Sequence, residues 1–459
     1  MRKLLFYLSA ISVLTFTACD DDDELDKIIE EIPEEEETVV IKPEIGILIN
    51  EMEYTDKISL PQDSTVEMKA VIKNEISDYS FSWNIEGNEV STDSIYTFTA
   101  EELGEYTISL KVKTLLGGES TSQAGVSVYG KYKYGTFILN EGNMSSENGS
   151  LIFISPTGQV TDSVYWKVNN SFLGNVTQDL YIADNKMYII AQNGNIMGGD
   201  GMLVVTNAET LKKENAYNEE LSGLDWPTHL AVVENKVYIR DNKGVYLFNT
   251  SNKELNYIEG TKGASKNRMA VVGKKIFVPA SKNIYVIEEN QVTDTIKMEG
   301  NISGVLRTND NNLWVSCTTK PAQINKVSSK DYSIMQTNEI AEAQVGAGWG
   351  ATPGISAKGD TIYFSNASTK IYRHIFNQKT TELMTNVKDH IENAGIVYNN
   401  LAVDPISGEV YFNTIKGYGM DFLINDISVF DFSGTTPVLK ADYKDHTKFP
   451  AGIFFPSNF

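Results

Sequence analysis

The chain runs to 459 residues, with 39 Lys and Arg against 61 Asp and Glu, a formal net charge of −22, and 2 cysteines. Such an acid excess argues against nucleic acid or anionic lipid as a partner, because both are held by basic patches. With Cys19 consumed at the N-terminus (below), only Cys317 remains and no intramolecular disulfide can form. Stability must then come from core burial, which a chain of this length supplies.

At the N-terminus Arg2 and Lys3 precede an apolar run from Leu4 to Phe16, followed by Thr17-Ala18-Cys19. A basic start, an apolar core too short to span a bilayer and a small-residue cleavage site make residues 1–18 a secretory signal. With cysteine at the cleavage point the segment resembles a bacterial lipobox, which implies lipidation of Cys19. Phe16 departs from the aliphatic residue usual there, and an ordinary cleaved signal is the other reading. Residues 19–39 hold twelve acids against one base, Lys27. Such a tract repels itself, buries nothing and stays extended as a tether. It resembles the acidic export signal of Bacteroidetes lipoproteins, which implies an outer-membrane, cell-surface location; a solvated spacer is the bland reading. The signal contributes +2 and the tract −11, leaving −13 on the remainder.

Residues 40–130 read as a small β-sandwich. Tyr79 to Glu86 alternates polar with aromatic or apolar residues and turns at Gly87-Asn88, and Gly104 to Val112 alternates again. These two runs resemble a PKD-type or Ig-like domain, which implies that Trp83 plugs the core rather than meeting a ligand.

From residue 131 to 459 a unit recurs: an apolar strand, a short turn, an aromatic-rich strand, a variable loop and a third strand. His229–Val233, Glu234-Asn235-Lys236, Val237–Ile239 and Val245–Phe248 show it best. Other copies begin at Leu180, Met269, Val305, Gly354 and Leu401. A further unit is split, with Gly135–Asn140 and Leu151–Ile154 lacking a first strand that Ala451–Phe455 could supply. The expectation is an all-β chain: an Ig/PKD-like sandwich followed by a seven-bladed β-propeller closed by the C-terminal strand, which removes the open edge. A string of separate sandwiches is the alternative, but each unit is too short to bury a core alone.

The repeats resemble YncE-like propellers, and more closely a family of Bacteroidetes surface lipoproteins (the DUF5074 type). The resemblance is carried by Phe137-Ile138-Leu139-Asn140-Glu141-Gly142-Asn143, Trp349-Gly350-Ala351-Thr352-Pro353-Gly354 and Phe449 to Pro456. Some members (the BtuG type) capture cobalamin for a TonB-dependent outer-membrane transporter, which implies the same ligand and partner here. The extra sandwich leaves the specific ligand open.

In a propeller the loops leading into first strands and those joining second to third strands share one face. The first set nominates Trp226, His229, Arg268, Trp349, Thr352 and Tyr398; the second nominates Asn140, Glu141, Asn143, Gln192, Asn193, Arg240 and Tyr418. Rings and amides suit a large amide-fringed ligand such as a corrinoid, and would equally suit a glycan. Ordinary turn chemistry is the bland reading of each residue alone. Enzyme readings, a lyase or lactonase with a channel metal, find little: His229, His374, His390 and His446 lie in separate segments without metal-ligand spacing. There is no Gly-x-Ser-x-Gly elbow or Gly-rich phosphate loop. Cys317 reads as a buried small hydrophobe, and no catalytic residue, metal or resident cofactor is expected.

Overall fold

The computed structural model describes residues 40–53, 57–346, 352–399 and 401–458. The signal, Cys19 and the acidic tract therefore lie outside the described residues, as does Trp349.

The N-terminal unit is two antiparallel-dominated sheets packed on one core. One has the strand order Met52–Glu53, Ile45–Ile49, Thr65–Ile72, Ile95–Thr99; the other Lys57–Pro61, Glu119–Tyr129, Gly104–Thr114, Tyr79–Ile85, Asn88–Ser91. Period-2 alternation sends Ile108, Leu110 and Val112 inward against Ile47, Met68 and Trp83. Trp83 is fully buried and its indole N–H donates to the Asp93 carbonyl at 2.8 Å, so the ring fills the core without stranding its polar atom.

Beyond Tyr129 the described residues form seven four-stranded antiparallel sheets. Sheets 2 to 7 are each continuous in sequence, with first strands Thr177–Ala183, His229–Val233, Ala270–Val272, Ile302–Arg307, Ser356–Lys358 and Ala402–Val403. Sheet 1 is composite. Its order is Val160–Thr161, Ser150–Ile154, Thr136–Asn140, Pro450–Phe454, with Phe137 opposite Phe454 and Ile138 opposite Ile453. Tight turns set the register: Asp184 and Asn185 both take positive φ between the first two strands of sheet 2, the conformation of a two-residue hairpin turn.

The core is a series of shared layers. Phe137 and Phe153 of sheet 1 pack with Leu180 and Ile189 of sheet 2, and Tyr188 and Val205 with Leu230 and Ile239 of sheet 3. The series continues through Tyr238 with Ile276, Val286 with Val305, Ile324 with Phe364, and Tyr363 with Phe430. Tyr411 and Val429 of sheet 7 then pack with Ile138 and Ile152 of sheet 1. Each sheet thus buries both faces against neighbours, which is why the inner strands are continuously apolar rather than alternating.

The two units are tied at a joint. Gly130 N–H donates to Glu209 Oε2 at 3.0 Å, Tyr132 N–H to the Glu209 carbonyl at 2.9 Å, and Lys133 pairs with Glu209 at 3.0 Å. A Cβ at residue 130 would stand 2.3 Å from the Glu209 side chain, so glycine is needed for this approach. The connection from sheet 1 to sheet 2 also carries a short helix, Val164–Asn169, where the repeat pattern predicts only loop.

Candidate functional site

Call upper the end at which the first strands of the sheets begin; loops joining second to third strands lie at the same end because neighbouring strands are antiparallel. Six of the predicted residues gather there, over sheets 7, 1 and 2: Asn140, Glu141, Asn143, Gln192, Asn193 and Tyr398. Asn140 ends its strand, its Nδ2 donating to Ser150 Oγ at 3.2 Å. The chain then turns at Gly142 (φ +77), where a Cβ would meet the Asn148 carbonyl oxygen at 2.4 Å. Glu141 is pinned between segments: its N–H donates to the Phe449 carbonyl at 2.9 Å, and its own carbonyl accepts from Thr177 N–H at 3.2 Å. Its carboxylate accepts from the Tyr398 hydroxyl at 3.0 Å.

Burial pushes the Glu141 carboxyl above its usual range, opposed by the Tyr398 hydrogen bond, the charge of Lys266 and a hydrogen bond from Gln178. Lys266 belongs to the loop leading into sheet 4, so its field reaches Glu141 across the upper end. Burial and the facing Glu141 charge raise Tyr398, and Tyr418 contributes to that shift. Gln192 Nε2 donates to Gln178 Oε1 at 3.2 Å. Asn193 Nδ2 donates to Asn175 Oδ1 at 2.8 Å, and Asn175 Nδ2 to the Asn143 carbonyl at 3.0 Å. The result is a floor of fixed amides, a phenol and one acid.

Other nominated residues sit lower or apart. His229 and Arg240 are buried: His229 Nδ1 lies 2.9 Å from Thr228 Oγ1, while Arg240 donates to that hydroxyl and to the Ala264 carbonyl, each at 3.1 Å. They brace the loops beneath the surface, and Thr352 is buried as well. Trp226 and Tyr418, by contrast, are 51% and 57% exposed, with Met420 beside Tyr418 at 76%.

Arg268 departs from the expected rim position. It turns into a central cavity of about 530 Å³ lined by all seven sheets, among them Asp179, Leu230, Val305, Ser356, Val403 and Phe454. Arg268 Nε meets Asp179 Oδ1 at 3.0 Å and the guanidinium lies 4.2 Å over the Phe454 ring. The buried carboxylate draws it inward, and Gly452 leaves it room, since a Cβ there would sit 2.2 Å from Arg268 Nη2. Asp179 is raised to about 6 because desolvation outweighs its pairing with Arg268 and two backbone N–H donors.

Gln178, Asp179 and Lys266 escaped the sequence reading. A signal existed: Gln178-Asp179 precedes Leu180 just as Thr228-His229 precedes Leu230 and Asn267-Arg268 precedes Met269. Among the described residues no group of three His, Cys, Asp or Glu is placed to hold a metal ion. Cys317 is fully buried and its thiol is pushed up to about 11 by desolvation, so it is no nucleophile at neutral pH. His374 is committed to Asn338 and Thr381, each at 2.9 Å.

A PKD-like sandwich joined to seven mutually packed four-stranded sheets defines the class. Residues 43–114 match the PKD-like domain family. Residues 134–456 match the domain of unknown function DUF5074, which spans most of the chain, and the chain belongs to that family. A quinonprotein alcohol dehydrogenase-like protein of Bacteroides thetaiotaomicron has a similar crystal structure: TM-score 0.53, 14% identity, covering 88% of this chain and 97% of that one. A structural genomics protein of unknown function from the same organism aligns with TM-score 0.34 and 12% identity over 81% of this chain and 95% of its own. At 14% identity the first likeness is one of fold alone. None of the curated proteins matches.

Proposed function

We propose that the seven sheets are blades of a closed β-propeller, completed by Pro450–Phe454, and that the chain is a lipid-anchored surface protein that binds rather than transforms its ligand. The ligand is a corrinoid such as cobalamin, taken from the medium and passed to a TonB-dependent outer-membrane transporter. The observation that carries this reading is the composition of the upper end. Amides and hydroxyls of Gln178, Gln192, Asn193 and Tyr398 are held by hydrogen bonds, with the exposed rings of Trp226 and Tyr418 on loops of the same end. A corrinoid offers a broad apolar macrocycle fringed with amides, so rings cover its face while fixed amides pair with its edge. Because these groups are already ordered, little rotamer entropy opposes binding.

Absorbance titration with cyanocobalamin tests the reading, since the bound chromophore changes its spectrum. Saturable binding is expected, weakened about tenfold in Trp226→Ala, as for an exposed aromatic anchor. Absence of binding at micromolar protein removes the corrinoid.

A further inference from the structure

A second concave site lies beside sheet 1 and meets the upper-end cluster at Asn140. It measures about 500 Å³, within the range of small-ligand pockets, and is walled by the sheet 1–2 connection on one side and the Asp445–Lys448 loop on the other. Its apolar wall is Trp166, Phe172 and Met197, which are 43%, 53% and 36% exposed. Large rings left this open are normally mobile or covered. Here the segments that carry them are pinned from below. The adjacent Tyr165 hydroxyl and Ser171 Oγ both donate to Asp200 Oδ2, the latter at 2.6 Å, and Lys213 Nζ meets Asp200 Oδ1 at 2.7 Å. Asn169 Nδ2 donates to the Tyr165 and Leu211 carbonyls at 3.0 and 2.9 Å, fixing the end of the helix that carries Trp166. The Trp166 and Phe172 rings stand 6.4 Å apart at 31°, an open platform rather than a closed stack. Asn148 Nδ2 donates to the Met197 carbonyl at 3.1 Å and holds that flank in place.

The opposite wall is polar and carries more acids than bases. Lys448 pairs with Glu147 at 3.2 Å, and His446 Nδ1 lies 2.9 Å from Asp162 Oδ1. Asp445 Oδ1 accepts from Asn425 N–H at 3.3 Å. No cation is left over for an anionic ligand, and the acids face hydrogen-bond donors.

We infer that this pocket holds one pyranose ring of a neutral saccharide, its C–H face on Trp166 and Phe172 and its equatorial hydroxyls toward Glu147, Asp162, His446 and Lys448. A pyranose has that division: one apolar face of axial C–H bonds and a hydroxylated edge able both to donate and to accept. A flat aromatic ligand would use the platform but leave the polar wall unanswered, and an anion would meet carboxylates. Asn140 lines this pocket as well as the upper end, but Trp166 and Phe172 belong to the pocket alone, and it shares neither Tyr398 nor Trp226 with the corrinoid reading.

Saturation-transfer NMR and calorimetry of the folded protein with maltose, cellobiose, mannobiose and diacetylchitobiose provide the test, with adenosine as the flat aromatic control. At least one disaccharide is expected to bind saturably, with a dissociation constant on the order of 1 mM. Trp166→Ala and Phe172→Ser should each weaken it about tenfold, while Trp166→Phe keeps a ring and stays within about threefold. Tyr398→Phe should leave it unchanged, and unchanged melting of each variant separates lost contact from lost fold. Saturation by adenosine alone, no saturable disaccharide, or binding indifferent to both ring deletions would overturn the proposal.

Discussion

Deleting residues 450–459 is the most searching perturbation of the architecture, because it removes the innermost strand of sheet 1 and nothing from the other six. Ile453, Phe454 and Phe455 are 5%, 2% and 1% exposed. Returning three such side chains to water costs about 6 kcal/mol at about 2 kcal/mol each. The Arg268 stack on Phe454 and the antiparallel pairing with Phe137, Ile138 and Leu139 are lost as well. Whole domains are stable by only about 5–15 kcal/mol, so the truncated chain should melt on the order of 10 °C lower or fail to fold. Circular dichroism melting reads the first effect. Hydrogen exchange reads the second: those amides of Thr136–Asn140 that face Pro450–Phe454 should exchange quickly once that strand becomes an edge, while those bonded to Ser150–Ile154 stay protected. Melting within a degree of the full chain, with the newly uncovered amides still protected, would refute the idea that the terminal strand binds the first sheet to its neighbours.

Two further expectations concern buried groups. Asp179 holds its proton more tightly folded (about 6) than unfolded (3.8), so its contribution is fully present below the unfolded value and lost as pH rises through 6. The difference amounts to about 3 kcal/mol. Chemical denaturation of Asp179→Asn should therefore show a flatter stability profile between pH 4 and 7 than the parent; an identical slope would mean that Asp179 titrates normally. Cys317, buried with its thiol raised to about 11, should resist Ellman's reagent at pH 8 until the protein is denatured, and rapid native labelling would contradict its burial.

Strands buried on both faces were the most legible part of the sequence, since runs such as Leu230–Val233 and Met187–Ile190 are apolar without interruption and recur at a regular interval. The outermost strands escaped. Lys213–Tyr217 reads Lys-Glu-Asn-Ala-Tyr and is largely exposed, so its pairing is dictated by the neighbouring strand rather than by its own hydrophobicity. The short helix Val164–Asn169 escaped for a similar reason. Its ends are left-handed and it has no side-chain cap, so tertiary bonds from Tyr165 to Asp200 and from Asn169 to the Leu211 carbonyl hold it where local signals do not. Of the nominated site, Asn140, Glu141, Asn143, Gln192, Asn193 and Tyr398 converge because loop position follows from strand order alone. Arg268 and His229 could not be placed so easily. Whether a polar residue at a strand start points to solvent or inward depends on its partner, and Asp179 lies 89 residues from Arg268.

The Glu209 joint determines which way the molecule faces. Thr136–Asn140 sets out from the lower end, and the turn that carries Glu209, between the third and fourth strands of sheet 2, lies there too. Clamped at this turn through Gly130, Tyr132 and Lys133, the sandwich sits under the larger unit as a fixed foot rather than a swinging one. The loops that carry Trp226, Tyr398 and Tyr418 accordingly stand at the end of the larger unit opposite the sandwich, and none of the foot's described residues overhangs them.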